Sequence, residues 1–165
     1  ADDVNMISCD IPWLQAALPT ITSVLGTWSL KVNEAKTEWI HISSTTTTWK
    51  KSKQLGTLLG EEEDMNHRIN KASKAFGQLY SVWLRRSNIS ESRRLRLYNA
   101  LIVPILLYNC EVWGLTAASL STIIDVFHRR QLRLRAIIGS RHPDHISNEN
   151  LYARCQAEPM SETIQ

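Results

Sequence analysis

Asp2 and Asp3 are the first residues of the chain that could do chemistry. Two adjacent carboxylates ahead of the β-prone run Val4 to Ser8 offer hard oxygen ligands of the kind Mg²⁺ takes, one or two carboxylates completed by water and phosphate oxygens. Neighbouring side chains of a strand point to opposite faces, so only one of the pair can aim fully into a site unless a turn intervenes. A second set is cationic: Arg68, Lys71, Lys74, Arg85, Arg86, Arg93, Arg94, Arg96, Arg129, Arg130, Arg133 and Arg135. Residues of that type neutralise phosphates and release counterions without reading sequence, and on an ordinary helix they are equally a solubilising face. Trp83, Tyr98, Tyr108 and Trp113 could stack on bases, but their helical spacing beside Leu and Ile places them in a core. His142, His145 and Cys155 match no zinc-finger spacing and lack a fourth ligand.

Those residues sit in a chain of 165 residues, 43% hydrophobic and 21% charged. Such a composition excludes disordered, collagenous and disulfide-scaffold classes and leaves one globular domain or two small ones. No apolar run approaches the ~18 residues of a membrane span, and no signal peptide opens the chain. Cys9, Cys110 and Cys155 are an odd, widely spaced set that suits reduced thiols, so an intracellular protein, nuclear or cytoplasmic, is expected. The formal charge of +3 conceals an asymmetry. Residues 1–50 carry three Lys/Arg against five Asp/Glu, whereas residues 66–141 carry thirteen against Glu91, Glu111 and Asp125. A start without Met and an end without a stop signal suggest a piece of a longer chain.

The elements that must position these groups can be read from periodicity. Asp10 or the Ile11-Pro12 step opens a helix carrying Leu14, Leu18, Ile21 and Leu25, with Pro19 a potential kink and Gly26 near its end. Trp28 to Val32 and Thr37 to Ile42 read as strands joined by Asn33-Glu34-Ala35-Lys36, and Gln54 to Leu59 as another. Beyond the acidic run Glu61 to Asp64 the period becomes helical, with Met65, Ile69, Ala72, Phe76, Leu79 and Trp83 on one stripe. Ser90 caps a second basic helix, Pro104 kinks or restarts it before Ile105 to Trp113, and Thr116 caps a third helix ended by Gly139. A shorter one starts at Ser147.

Taken in order, several segments resemble the boxes of reverse transcriptases. Ala1-Asp2-Asp3-Val4-Asn5-Met6-Ile7-Ser8 resembles the catalytic hairpin, and Leu30-Lys31-Val32-Asn33-Glu34-Ala35-Lys36-Thr37-Glu38 the box after it. Lys53-Gln54-Leu55-Gly56-Thr57-Leu58-Leu59 is similar to the strand that approaches the primer terminus. Leu97 to Leu101, Leu106 to Trp113, Phe127 to Arg133 and Ile146 to Leu151 resemble the thumb region of non-LTR (LINE-type) retrotransposon polymerases.

The resemblance implies an α+β fragment. Residues 1–60 would form the end of a polymerase palm, short antiparallel strands plus a helix, and residues 61–165 an all-helical thumb and connector. It implies a parent enzyme that adds dNTPs to a DNA primer on an RNA template by two-metal catalysis with Mg²⁺. Asp2 and Asp3 would be metal ligands, Lys36 would lie near the pyrophosphate, and Leu55 and Gly56 would meet the primer strand. The basic helices would hold the hybrid duplex. Gln54 stands where the family has an aromatic residue, and the partner metal-binding Asp and the fingers belong upstream of Ala1, so the chain alone is expected to be inactive. The alternative is a non-catalytic nucleic-acid-binding helical module or a degenerate remnant.

Overall fold

Asp10 starts the first helix as the sequence requires: its Oδ1 accepts the Trp13 backbone N–H at 3.0 Å, and α1 runs Ile11–Thr27 with Pro12 in its first turn. Pro19 lies inside α1 without ending it, and the chain leaves through Ser29 in the left-handed region, φ 60°. The computed structural model describes residues 4–86, 88–114, 121–134, 137–138 and 146–164. The chain divides into two compact units, Ala1–Trp49 and Lys50–Gln165.

In the first unit the strands expected over Val4 to Ser8, Trp28 to Val32 and Thr37 to Ile42 are not formed. The polar connection between the two later segments is a tight turn as read: Glu34–Lys36 is one 3₁₀ turn, with the Lys36 N–H donating to Asn33 O at 3.0 Å. The physical reason is burial. Trp28 is 76% exposed, Leu30 57%, Trp39 57% and Ile42 61%, so the segments have no layer against which to pair. None of the described residues 4–49 is buried.

The second unit holds the core. After a 3₁₀ turn at Thr48–Lys51, the single strand expected over Gln54 to Leu59 is instead a two-residue-loop hairpin, β1 (Lys53–Gln54) antiparallel to β2 (Thr57–Leu58), with Lys53 opposite Leu58. The hairpin lies in the second unit, Lys50–Gln165, with the helices. α2 (Glu61–Leu79) comes next, its first turn of Glu61, Glu62, Glu63 and Asp64 matched to the positive end of the helix dipole. Gly60, at its N-cap, has no room for a side chain: a Cβ would stand 2.6 Å from Lys50 Cβ.

Met65, Ala72, Phe76 and Leu79 form the buried stripe of α2 as expected, but Trp83 does not. Tyr80–Leu84 is a π turn, in which Arg85 N–H reaches back five residues to Tyr80 O at 3.3 Å. The added residue moves the register by one, so Leu84, 1% exposed, enters the core and Trp83, 51% exposed, is turned out. α3 (Glu91–Leu101) starts after Ser90, breaks at Ile102, and α4 (Val103–Leu106) restarts with Pro104 in its first turn.

A second π turn, Ser121–Asp125, leads into α5 (Val126–Arg133); the Thr116 cap and the Gly139 stop lie outside the described residues. α6 (Asn148–Cys155) begins as predicted, the Ser147 hydroxyl accepting Asn150 N–H at 3.2 Å, and α7 is Met160–Thr163. Buried Asp125 accepts both the Ser161 N–H (3.1 Å) and its hydroxyl (2.7 Å), tying α7 to the π turn. Arg154 on α6 grips Glu91 of α3 through two hydrogen bonds, 3.0 and 2.8 Å. The fold is α+β in the general sense, mostly helical with one two-stranded sheet among the described residues.

Candidate nucleic-acid interface

The hairpin tip is built on Leu55 and Gly56, with φ of 48° and 82°. Positive φ at both central residues is the type I′ pattern whose twist suits a two-residue hairpin, and Gly is at ease there whereas Leu is not. Two side chains hold the strained tip. Arg68 Nη2 donates to Gly56 O at 2.7 Å, and the Tyr108 hydroxyl donates to Leu55 O at 3.2 Å. The Arg68 guanidinium lies over the Tyr108 ring, 4.3 Å from its centroid, so the two clamps brace each other.

Asp64 is the foot of this arrangement. Its carboxylate is 1% exposed and accepts the Leu58 backbone N–H (2.9 Å) and the Trp113 indole N–H (3.1 Å), with Arg68 Nε 3.5 Å away, one helical turn on. Burial alone would raise its pKa; the Leu58 and Trp113 hydrogen bonds and the Arg68 charge outweigh it and hold the carboxyl below its usual value. The hairpin is therefore pinned to α2 and to the Trp113 segment by one ionised carboxylate.

Positive charge gathers beside it. Lys53 is exposed on β1 two residues before the tip, Lys71 is exposed on α2 one helical turn after His67, and burial, then the charges of Lys71, Lys53 and Arg68, push the His67 pKa down. Leu55 itself is 63% exposed, so the tip offers backbone and an apolar side chain to solvent next to cations.

The sequence-predicted residues distribute unevenly. Asp2 and Asp3 lie outside the described residues, so the Mg²⁺ assignment does too; Lys36 is exposed on the 3₁₀ turn of the first unit. Leu55 and Gly56 form the tip. Arg68 is 4% exposed and committed to internal contacts, which removes it from the cations able to meet a phosphate. Lys71, Lys74, Arg85, Arg86, Arg93, Arg96 and Arg130 are exposed. Arg94 is half-buried and donates to Arg86 O at 3.1 Å. Arg129 reaches the Tyr152 hydroxyl at 3.5 Å, and Arg133 donates to Asn148 Oδ1 at 2.6 Å and Ile146 O at 3.3 Å, so both support α6 and the segment before it.

His142, His145 and Arg135 lie outside the described residues, and Cys155 is a buried free thiol. Among the described residues no cluster of three or more His, Cys, Asp or Glu is placed to hold a metal. Of the four aromatics, Tyr98 and Trp113 are core and Trp83 and Tyr108 are half exposed. Asp64 and His67 were not among the site residues expected from the sequence, although the Asp64–Arg68 spacing of four on a helix is a legible ion-pair signal.

No helix among the described residues is long and apolar enough to cross a membrane. Set against protein-family models, curated proteins and solved structures, the chain matches none.

Proposed function

We propose that this chain is the palm-end and thumb portion of an RNA-directed DNA polymerase of the non-LTR retrotransposon type, and that its own part in that enzyme is to grip the primer–template duplex. The observation that carries the reading is the clamped Leu55-Gly56 tip beside Lys53, His67 and Lys71. A tip with no side chain at Gly56 lets a sugar–phosphate strand come close to the backbone, and the flanking cations neutralise it. The tip's rigidity comes from Asp64, Arg68 and Tyr108, so the close approach carries little ordering cost at the moment of binding. Asp2 and Asp3, which the resemblance assigns to Mg²⁺ chemistry, lie outside the described residues. The reading rests on the grip and not on the metal.

Duplex affinity measured against salt tests it. Each phosphate neutralised steepens the log–log slope by about 0.9, so replacing Lys53, Lys71 and Lys74 together by Ala should flatten it by about 3. A wild-type affinity that does not change with salt overturns the grip. In the full-length parent, Asp2→Ala and Asp3→Ala should abolish primer extension while leaving duplex binding intact. Extension that persists refutes the assignment of Asp2 and Asp3 as the metal ligands and leaves the grip standing.

A further inference from the structure

The π turn at the end of α2 places a large aromatic side chain in solvent where a regular helix would bury it. Residue 83 is four after Leu79, the position that continues the α2 stripe, and the sequence puts Trp there. The extra residue of Tyr80–Leu84 gives that place to Leu84 instead, and Trp83 emerges with half its surface open. Leaving an indole in water forgoes the apolar burial that a core tryptophan provides. π turns of this kind recur at functional sites.

The surroundings of Trp83 name its partner. Arg86 stands with its guanidinium 5.8 Å from the Trp83 ring centroid, and its backbone carbonyl accepts from Arg94 on α3. Arg85 and Arg86 are exposed next to it in the chain, and Arg93 and Arg96 are exposed on α3, whose Arg94 makes that bond to Arg86. The one acidic residue in the sequence between Tyr80 and Tyr98 is Glu91, and Arg154 already engages it. Tyr80, 42% exposed, adds a second aromatic on the same turn. The surface thus combines flat π faces with an excess of arginine charge, and it complements a polymer that repeats flat bases and phosphates.

We propose that Trp83 is a stacking platform for an unpaired base of a single-stranded nucleic acid, with Arg85, Arg86, Arg93 and Arg96 holding the adjoining phosphates. The site is separate from the hairpin tip, and it takes strand that has left or not yet entered a duplex. Stacking of one base on an aromatic side chain is sequence-tolerant, so the platform reads no code.

The test is binding of the whole chain to a short oligothymidylate, to an abasic oligonucleotide of the same length, and to a blunt duplex. Trp83→Ala should weaken oligothymidylate binding by roughly 5- to 150-fold, the range of one lost base stack, and Trp83→Phe should restore most of it. Abasic and duplex affinities should be unchanged by either substitution, because their binding rests on charge and on the tip. Equal oligothymidylate affinity for wild type and Trp83→Ala overturns the proposal. An equal loss on all three ligands overturns it as well, since Trp83 would then support the surface without stacking. Failure of duplex binding to respond to Lys53, Lys71 and Lys74 bears on the grip alone, so the two readings fail independently.

Discussion

Lowering the pH should destabilise this protein through His128. The imidazole is 0% exposed on α5, between the Tyr98 and Tyr152 rings at centroid distances of 5.6 and 6.1 Å. Tyr98 Oη lies 2.9 Å from Nδ1, and Nε2 has no hydrogen-bond partner among the described residues. Burial raises the Tyr98 pKa, so the phenol stays protonated and donates to Nδ1, which assigns the imidazole proton to Nε2. The opposite tautomer would strand the phenol proton and a nitrogen lone pair together. Burial, against a smaller pull from Asp125, brings the His128 pKa down from 6.5 to about 4.

A folded-state pKa below the unfolded one means the unfolded chain binds the proton more readily. The stability is whole above about pH 6.5 and is lost as the pH falls toward about 4. The gap sets a ceiling of about 3 kcal/mol, of which about 2 kcal/mol should disappear between about pH 7 and about pH 5. Urea unfolding monitored by helix signal at those pH values measures it. His128→Phe deprives the Tyr98 hydroxyl of its acceptor and should cost about 1–3 kcal/mol near neutrality. It also removes the titration, so its curve should be flatter and should close on the wild-type curve as the pH falls. Two parallel curves with a constant offset would refute the assignment of the acid sensitivity to His128.

The geometry sets three further outcomes. Asp64→Ala leaves the Arg68 guanidinium and the Trp113 indole N–H without their partner and should cost about 3–5 kcal/mol in the same unfolding assay. By contrast, Arg154→Ala breaks a pair whose side chains are 47% and 35% exposed, and its cost should stay within about 1 kcal/mol despite ideal distances. Gly56→Ala meets nothing nearer than the Tyr108 hydroxyl at 3.7 Å but must hold φ of 82°. It should lose about 1 kcal/mol of stability from backbone strain alone, read in the same assay.

Several features were decided within short stretches of sequence, and these are the ones legible in advance. Asp10 and Ser147 mark helix starts because a cap needs only its own turn, Ser90 precedes α3 although its hydroxyl makes no cap hydrogen bond, and Pro104 marks a restart because it lacks an N–H. The stripe Met65, Ala72, Phe76, Leu79 comes from a period of 3.6, and the basic stretch from composition. Local signals fail where burial is the arbiter. The β-prone segments at Trp28 to Val32 and Thr37 to Ile42 form no ladder because pairing needs a covered face, which a propensity does not supply.

The candidate site divides along the same line. Residue types and order determined that Leu55-Gly56 and the lysines and arginines were candidates for contact with a nucleic acid. Only the tertiary structure decided that Arg68 is an internal clamp, that Asp64 anchors the hairpin from 49 residues before Trp113, and that Trp83 faces solvent while Tyr98 is buried. The reason is that a hydrogen bond between distant residues, or one extra residue in a helical turn, leaves no trace in periodicity. Both depend on which packed arrangement satisfies the whole second unit at once.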